Sequence, residues 1–348
     1  MVSSQSDAEQ QESGNARFLL TSLGILLGLL LISSFFIDLR ESFRIILNTN
    51  WLMAGMGALL LLAGILLIDL RWWYLLARFP RFWRTFHASN VSYIVPILTP
   101  IPNMVVRVVT TGVGTRATIP QATTAMAIER SIAQIMRLTA IILAIQMGAQ
   151  VELTVAYIIK TVVLALGIIG LFLLAMRYAD AVSRGADAIL RRLPFIKEGL
   201  RERIIAMLQQ ALAHGGSMTE VLIATGVTVI MWTLFFFFHF LIITAMPIEL
   251  STIDRMTVAM GALALTPPSA PAMFGIYHAS QILPMLALNL ATLEVLLPYS
   301  LLLYFIQAIV WLALTLWGLK NLDMKFADLF RIRAELGAEE PQPPPEET

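Results

Sequence analysis

The chain has 348 residues, of which 58% are apolar and 14% are charged, and its formal net charge is +1. Ordinary soluble domains carry about 25% charged residues, so this composition indicates a membrane protein. The near-neutral charge and the lack of a nucleic-acid-binding motif argue against a DNA or RNA partner. The absence of cysteine excludes disulfides and thiolate chemistry. The four histidines lie on separate segments, so we expect no metal and no cofactor, and we expect His239 to be a packed, hydrogen-bonded residue.

Polar stretches divide the chain into three parts. We expect a disordered N-terminal tail over residues 1–16, a membrane domain over 17–320 and a cytoplasmic C-terminal tail over 321–348. Within the membrane domain, the basic residues of 177–214 indicate an amphipathic connector on the cytoplasmic side. The first apolar run, 18–37, exceeds the roughly 7–15 residues of a signal-peptide core, so we expect it to remain as a span.

Arginines and aromatic residues follow the second apolar run. A loop of mixed charge, 38–44, precedes this run, and we interpret the run as a span that ends at Asp69. The next stretch, RWWYLLARFPRFWR, contains arginines and no acid, which is typical of a cytoplasmic anchor at the membrane interface. With the later apolar runs, the pattern predicts an all-α polytopic membrane protein. We expect about six full spans, with both termini cytoplasmic.

Two apolar segments are interrupted by prolines. Residues 90–107 contain three prolines, and residues 256–265 form a piece too short to span that runs into TPPSAPAMFGIYH. Proline removes a backbone donor and clashes with the preceding turn, so neither segment forms one straight helix. Broken backbone at membrane depth is tolerated only where it is buried in protein or lines a wet cavity.

The two interruptions enter from opposite sides in the predicted topology. Such an opposed pair is the sequence indication of a binding site in transporters that are built from inverted repeats. We therefore predict two proline-broken re-entrant hairpins in opposed halves, at 86–111 and 256–288. Two complete crossings at either place would leave the loop sides unchanged, so that alternative stays open.

A long helix follows the first interruption. We expect a turn over residues 111–116, and Thr118 with Pro120 then predicts a helix start. This helix carries Glu129 and Arg130 within an apolar sequence. Ionisable residues inside a span are costly and are candidates for function. Two readings remain at equal weight: Glu129 pairs with an arginine, Arg107 or Arg137, to lock helices together, or it handles substrate directly.

Three motifs resemble one known family. PSAPAMFGIYH, at 268–278, resembles the P-S-S-P-G-F-x-G-x-Y-[HQ] stretch of the flippase-like integral membrane family that includes the transmembrane half of lysylphosphatidylglycerol synthetases. Glu129-Arg130 resembles that family's V-V-E-R-x-x-D helix, and Arg71-Trp72 resembles its basic residue after the second span. The order of these motifs matches from about Trp51 to Leu319.

The chain also departs from the family pattern. Of the motif L-P-x-R-x-G-E-x-x-R, Arg107 survives, and three charges of the family's polar core are missing. The resemblance therefore implies either a less polar cargo than usual or a loss of transport. The replacing residues are Ile101, Asn103, Met104, Ala133 and Ala272.

The resemblance implies a role in moving lipids between leaflets, with aminoacylated phospholipids or polyprenyl-linked sugars as cargo and no soluble aminoacyl-transfer domain. We expect a lipid translocase of the plasma or inner membrane rather than an enzyme. A non-transporting scaffold or assembly subunit is the alternative, and a membrane-embedded transferase ranks third. The expected partners are membrane lipids, anionic or isoprenoid-linked, and a homo-oligomer is left open. In this reading arginines bind an anionic headgroup, Glu129 balances it and hydroxyl groups supply hydrogen bonds. The candidate substrate-binding residues are Thr99, Arg107, Glu129, Arg130, Arg137, Thr266, Ser269, Tyr277 and His278.

Overall fold

The structure, a computed structural model, is all-helical in the part of the chain that it describes, and no described residue lies in a β-strand. The described residues are 39–94 except 79, 103–115, 117–148, isolated positions between 167 and 202, 218–265 and 276–324. The predicted span at 18–37, both tails, most of the basic connector and both proline-rich tips, 95–102 and 266–275, lie outside them.

Nine continuous helices are found within these ranges. They are α1 (Leu39–Leu47), α2 (Trp51–Leu75), α3 (Phe82–Val91), α4 (Asn103–Gly114), α5 (Ile119–Gly148), α6 (Met218–Ala245), α7 (Thr252–Leu265), α8 (Ile276–Ala287) and α9 (Leu293–Asn321).

The helices fall into two length classes. By length and composition, α2, α6 and α9 are long and apolar enough to cross a membrane. Helix α5 has 30 residues, and at 1.5 Å per residue it is about 45 Å long. By contrast α3, α4, α7 and α8 have 14 residues or fewer, so each is shorter than the roughly 30 Å hydrocarbon core. The prediction of a helical membrane protein is confirmed.

The long and short helices repeat in the same order. Helices α2 to α5 run long, short, short, long, and α6 to α9 repeat that order. Between these two halves, α2 packs on α6, α5 packs on α7, and α9 packs on α3. The contacts are therefore reciprocal, because the last helix of each half covers the first short helix of the other.

Helices α2 and α6 lie antiparallel. The amide of Asn50, at the start of α2, donates to the carbonyl of Ala245, at the end of α6, at 2.8 Å. Toward the end of α2, Nη1 of Arg71 donates at 2.9 Å to Oγ1 of Thr228, which lies in the first half of α6. Equivalent first helices that run in opposite directions are the arrangement expected of inverted repeats.

Glycines allow the helices to approach closely. A Cβ on Gly64 of α2 would collide with the ring of Phe235 on α6. A Cβ on Gly318 of α9 would lie 2.8 Å from the backbone oxygen of His87 in α3. Small residues at such crossings are typical of membrane helices, where packing replaces the hydrophobic effect as the driving force.

Three local expectations were wrong. The second span does not end at Asp69, because α2 continues to Leu75. Residues 39–44 of the expected charged loop instead lie in α1, an amphipathic helix whose Ile45 and Ile46 pack against the main core. The turn expected from Thr111 onward begins later, because α4 runs to Gly114, where it packs on α3.

The predicted start of α5 is confirmed. The amide of Gln121 donates to Oγ1 of Thr118 at 3.4 Å, and the amide of Thr118 donates to Oε1 of Gln121 at 3.1 Å. This reciprocal pair is a capping box, which satisfies backbone donors that the first turn of a helix leaves free.

Candidate functional site

Two acids and two arginines meet between α2, α4 and α5. Oε1 of Glu129 lies 2.8 Å from Nη2 of Arg71, and both carboxylate oxygens lie 3.1 Å from Nη1 of Arg107. Nη2 of Arg107 lies 3.1 Å from Oδ1 of Asp69. None of the four side chains is more than 7% exposed.

Neutral groups complete the hydrogen bonding of this cluster. Oγ of Ser89 donates to Oδ1 of Asp69 at 2.5 Å and accepts from Nε of Arg107 at 2.7 Å. Nδ2 of Asn90 donates to Oδ2 of Asp69 at 3.1 Å. The guanidinium carbon of Arg107 also lies 4.5 Å from the ring centroid of Trp72, within cation–π distance. With Thr228 on Arg71, five helices, α2 to α6, supply the cluster and its partners.

The cluster is neutral as a whole, because its two carboxylates balance its two guanidinium groups. A single buried ion would cost several kcal/mol. Mutual pairing, with hydrogen bonds to the remaining oxygens, is what makes such burial tolerable. The geometry therefore fixes these helices relative to one another.

A cavity of about 330 Å³ opens beside the cluster and is lined by both halves of the protein. Its charged wall is formed by Arg71, Arg107, Glu129 and Arg130 of the first half. The second half contributes apolar and aromatic side chains together with a few polar groups. Those residues are Met231, Trp232, Phe235, Phe238, His239, Ala262, Leu263, Tyr277, Gln307 and Trp311.

The polar groups from the second half are uncharged and paired. The hydroxyl of Tyr277 donates to Oε1 of Gln307 at 3.1 Å. Nδ1 of His239 lies 2.7 Å from the hydroxyl of Tyr299, which confirms that this histidine is packed and hydrogen-bonded. The cavity thus has a charged end and a neutral, aromatic end.

Residues 19–318 match one protein family, described as the lysylphosphatidylglycerol synthase TM region. The chain belongs to that family. No curated protein and no solved structure matches it. Membership confirms the resemblance read from the motifs, and it identifies a membrane protein related to lipid-modifying or lipid-handling functions.

Several of the predicted site residues belong to the buried charge cluster or line the cavity. Arg107 and Glu129 form the expected ion pair, and the second partner of Glu129 is Arg71 rather than Arg137. Arg130 and Tyr277 line the cavity, whereas Arg137 is not among its lining residues.

The remaining predicted residues lie elsewhere. His278 is fully buried, its ring centroid lies 5.3 Å from that of Tyr304, and neither of its ring nitrogens has a hydrogen-bond partner among the described residues. Thr99, Thr266 and Ser269 lie outside the described residues. Their predicted contact with substrate stays a prediction.

Sequence reasoning missed one of the two acids of the cluster, Asp69, and misplaced one of its arginines, Arg71. Asp69 was assigned to the end of a span, and Arg71 and Trp72 to an interfacial anchor, but all three are buried. The interfacial reading fits Trp83, which is 56% exposed. One signal was available, because the apolar sequence resumes after Arg71 for long enough to keep both charges inside a single helix.

Proposed function

We propose that this chain is a lipid translocase that passes a lipid headgroup through the cavity while the acyl chains stay in the bilayer. The observation that carries the proposal is the charged cavity itself, which both halves of the protein line. Its volume, about 330 Å³, is at the lower end of the roughly 300–1,000 Å³ of ligand pockets. That space suits a headgroup and is too small for a whole lipid.

The antiparallel first helices of the two halves, α2 and α6, support the same function. In this proposal the pairs α3–α4 and α7–α8 are re-entrant hairpins that enter from opposite sides, and the chain crosses the cell membrane several times with both termini in the cytoplasm. Transporters with inverted repeats open to alternate sides when one repeat rocks against the other around a fixed site. The reciprocal packing of α5 on α7 and of α9 on α3 provides surfaces along which such rocking would occur.

A membrane scaffold is the second candidate, and one observation favours it. The buried charges of Asp69, Arg71, Arg107 and Glu129 are all paired within the protein, as a purely structural lock between helices requires. A scaffold does not need the cavity, however. The two functions therefore predict different results for a substitution that fills the cavity with a larger side chain and leaves the charged residues unchanged.

The substitution Ala133→Phe makes that test. Ala133 lines the cavity, whereas Ala127, on the same helix, is exposed on the outside of the described bundle. The purified protein is reconstituted in vesicles that contain a fluorescent lipid, and the loss of fluorescence to a membrane-impermeant reductant reports movement between leaflets. We expect the wild type and Ala127→Phe to accelerate this movement and Ala133→Phe to abolish the acceleration.

A lack of acceleration by the wild type across a panel of anionic and isoprenoid lipids would refute the translocase. Equal activity of the two phenylalanine variants would show that lipid does not pass through this cavity. If the protein accelerates no lipid but folds and still supports its partners in cells, the scaffold is the better description.

A further inference from the structure

The cavity contains one arginine that the buried cluster does not use. Arg130 lines the cavity beside Glu129 and is partly buried. Its Nε is buried and has no hydrogen-bond partner among the described residues, and the same holds for Nε of Arg71. Unlike Arg71 and Arg107, it forms no ion pair with a described residue. A buried guanidinium nitrogen without an acceptor is unfavourable, so this position is suited to an acceptor from outside the protein.

The other charges of the wall are committed. Arg107 is held by Glu129, Asp69 and Ser89, and Arg71 by Glu129 and Thr228. Recruiting Arg107 for a ligand would leave the buried carboxylate of Asp69 without an arginine, and recruiting Arg71 would remove one of the two arginines that pair with Glu129. Of the three arginines that the sequence suggested for an anionic headgroup, Arg107 is paired with carboxylates and Arg137 is not among the lining residues, so the geometry favours Arg130.

The charge of the site follows from these contacts. The paired cluster contributes no net charge, and Arg130 adds one positive charge. The neighbouring positions of the wall, Ala133 and Asn103, are neutral. A ligand with a single negative charge neutralises the site, whereas a net positive headgroup would add a second uncompensated charge beside a low-dielectric wall.

We infer that the cavity selects a headgroup with one net negative charge, a phosphodiester, and that Arg130 binds its phosphate oxygens. A guanidinium group matches two phosphate oxygens at once through parallel hydrogen bonds. The aromatic end of the cavity, with Trp232 and Trp311, then faces the remainder of the headgroup. This inference deepens the proposed function, on which it rests for the ligand being a lipid, and it disfavours cationic aminoacyl lipids as cargo.

Equilibrium binding to the purified full chain tests the inference without transport. The probes are dioctanoyl phosphatidylglycerol, with one negative charge, dioctanoyl phosphatidylcholine, which is neutral, and the lysyl ester of the first, which is net positive. A short-chain isoprenoid phosphate sugar serves as the second lipid whose phosphodiester gives a net charge of minus one. Because Trp232 and Trp311 line the cavity, intrinsic fluorescence reports occupancy, and native mass spectrometry gives the stoichiometry.

We expect at least one phosphodiester of charge minus one to bind on the order of ten- to a hundredfold more tightly than the neutral and cationic lipids. Arg130→Gln should remove this preference, and Arg130→Lys should keep part of it, because the charge remains while the two-point geometry is lost. Arg137→Gln removes the same charge from the same helix outside the cavity lining, and should leave the preference unchanged.

The inference is overturned if the wild type binds the lysyl ester as tightly as phosphatidylglycerol, if neither of the two lipids of charge minus one is preferred, or if Arg130→Gln keeps the preference. The wild-type comparison remains decisive even where a variant fails to fold. A failure of the proposed transport function gives a different result. Selective binding without accelerated lipid movement in vesicles would refute transport and would leave the proposed headgroup site supported. Acceleration that ignores headgroup charge refutes the site and keeps transport.

Discussion

Replacing Glu129 with Gln measures how much the buried negative charge contributes to the free energy of unfolding. The amide keeps the size of the side chain and one acceptor oxygen. The one carboxylate that then remains in the cluster is that of Asp69, which pairs with Arg107 and leaves Arg71 without an ion-pair partner among the described residues. The cluster acquires an uncompensated positive charge next to Arg130. Removing one partner of a buried ion pair destabilises proteins by about 3–5 kcal/mol. By contrast, interhelical hydrogen bonds in membrane proteins average only about 0.6 kcal/mol.

Because these two energies differ severalfold, the free energy of unfolding distinguishes a buried ion pair from an ordinary interhelical hydrogen bond. Reversible unfolding of the purified protein in mixed micelles, followed by circular dichroism, gives the free energy of unfolding of each variant. We expect Glu129→Gln to lose about 3–5 kcal/mol. The control is Glu294→Gln, an exposed acid in the first turn of α9 whose interaction with the helix dipole is worth about 0.3–1 kcal/mol.

A double variant checks the cause. Arg71→Met combined with Glu129→Gln removes one charge of each sign and leaves the neutral pair of Asp69 and Arg107. We therefore expect the double variant to be more stable than Glu129→Gln alone. A loss below about 1 kcal/mol for Glu129→Gln would refute the reasoning, because the carboxylate would then act as an ordinary hydrogen-bond acceptor.

Three further predictions concern contacts between helices, two of them packing contacts and one a hydrogen bond. Gly318→Ala should lower the free energy of unfolding by about 1–3 kcal/mol, because its Cβ meets backbone of α3, whereas Gly55→Ala has no atom within 4 Å and should not destabilise; chemical or thermal unfolding compares them. The chain has no cysteine, so a Gly57→Cys, Ile242→Cys pair should form a disulfide under mild oxidation, because a Cβ on the glycine would lie 3.6 Å from Cγ1 of the isoleucine. Absence of the bond, seen as unchanged gel mobility, would contradict the close approach of α2 and α6 at these two positions. Tyr299→Phe removes the partner of His239 and should cost about 1–3 kcal/mol of unfolding free energy, and an unchanged value would show that the hydrogen bond contributes nothing.

Sequence reasoning identified those parts of the site whose residues differ clearly from their neighbours in the sequence. Glu129 and Arg107 are charges within apolar segments, so their pairing could be predicted as one of two readings. Thr118 and Pro120 carry a local start signal, and α5 begins at Ile119. Proline-broken segments likewise indicated where the short helices lie, although the hairpins themselves stay a prediction.

The remainder depends on contacts between distant positions. A charge near the end of an apolar run reads as the edge of the membrane unless its partner is known, and the partner of Asp69 lies 38 residues away. The cavity has no local signature either, because its walls come from helices of both halves. Cavities of this kind arise from how helices pack, which hydropathy and proline positions do not encode.

The shared charge cluster also constrains how the protein enters the membrane during synthesis. Asp69 emerges from the ribosome 38 residues before Arg107, and an isolated Asp or Arg at the centre of a helix costs about 2.5–3.5 kcal/mol to insert. Helix α2 carries Asp69 and Arg71 and is neutral by itself, but α4 adds Arg107, and the segment keeps one excess positive charge until α5 delivers Glu129. Release of α2 from the insertion machinery is therefore most favourable once α3, α4 and α5 have joined it, which makes the first half of the chain a single insertion unit.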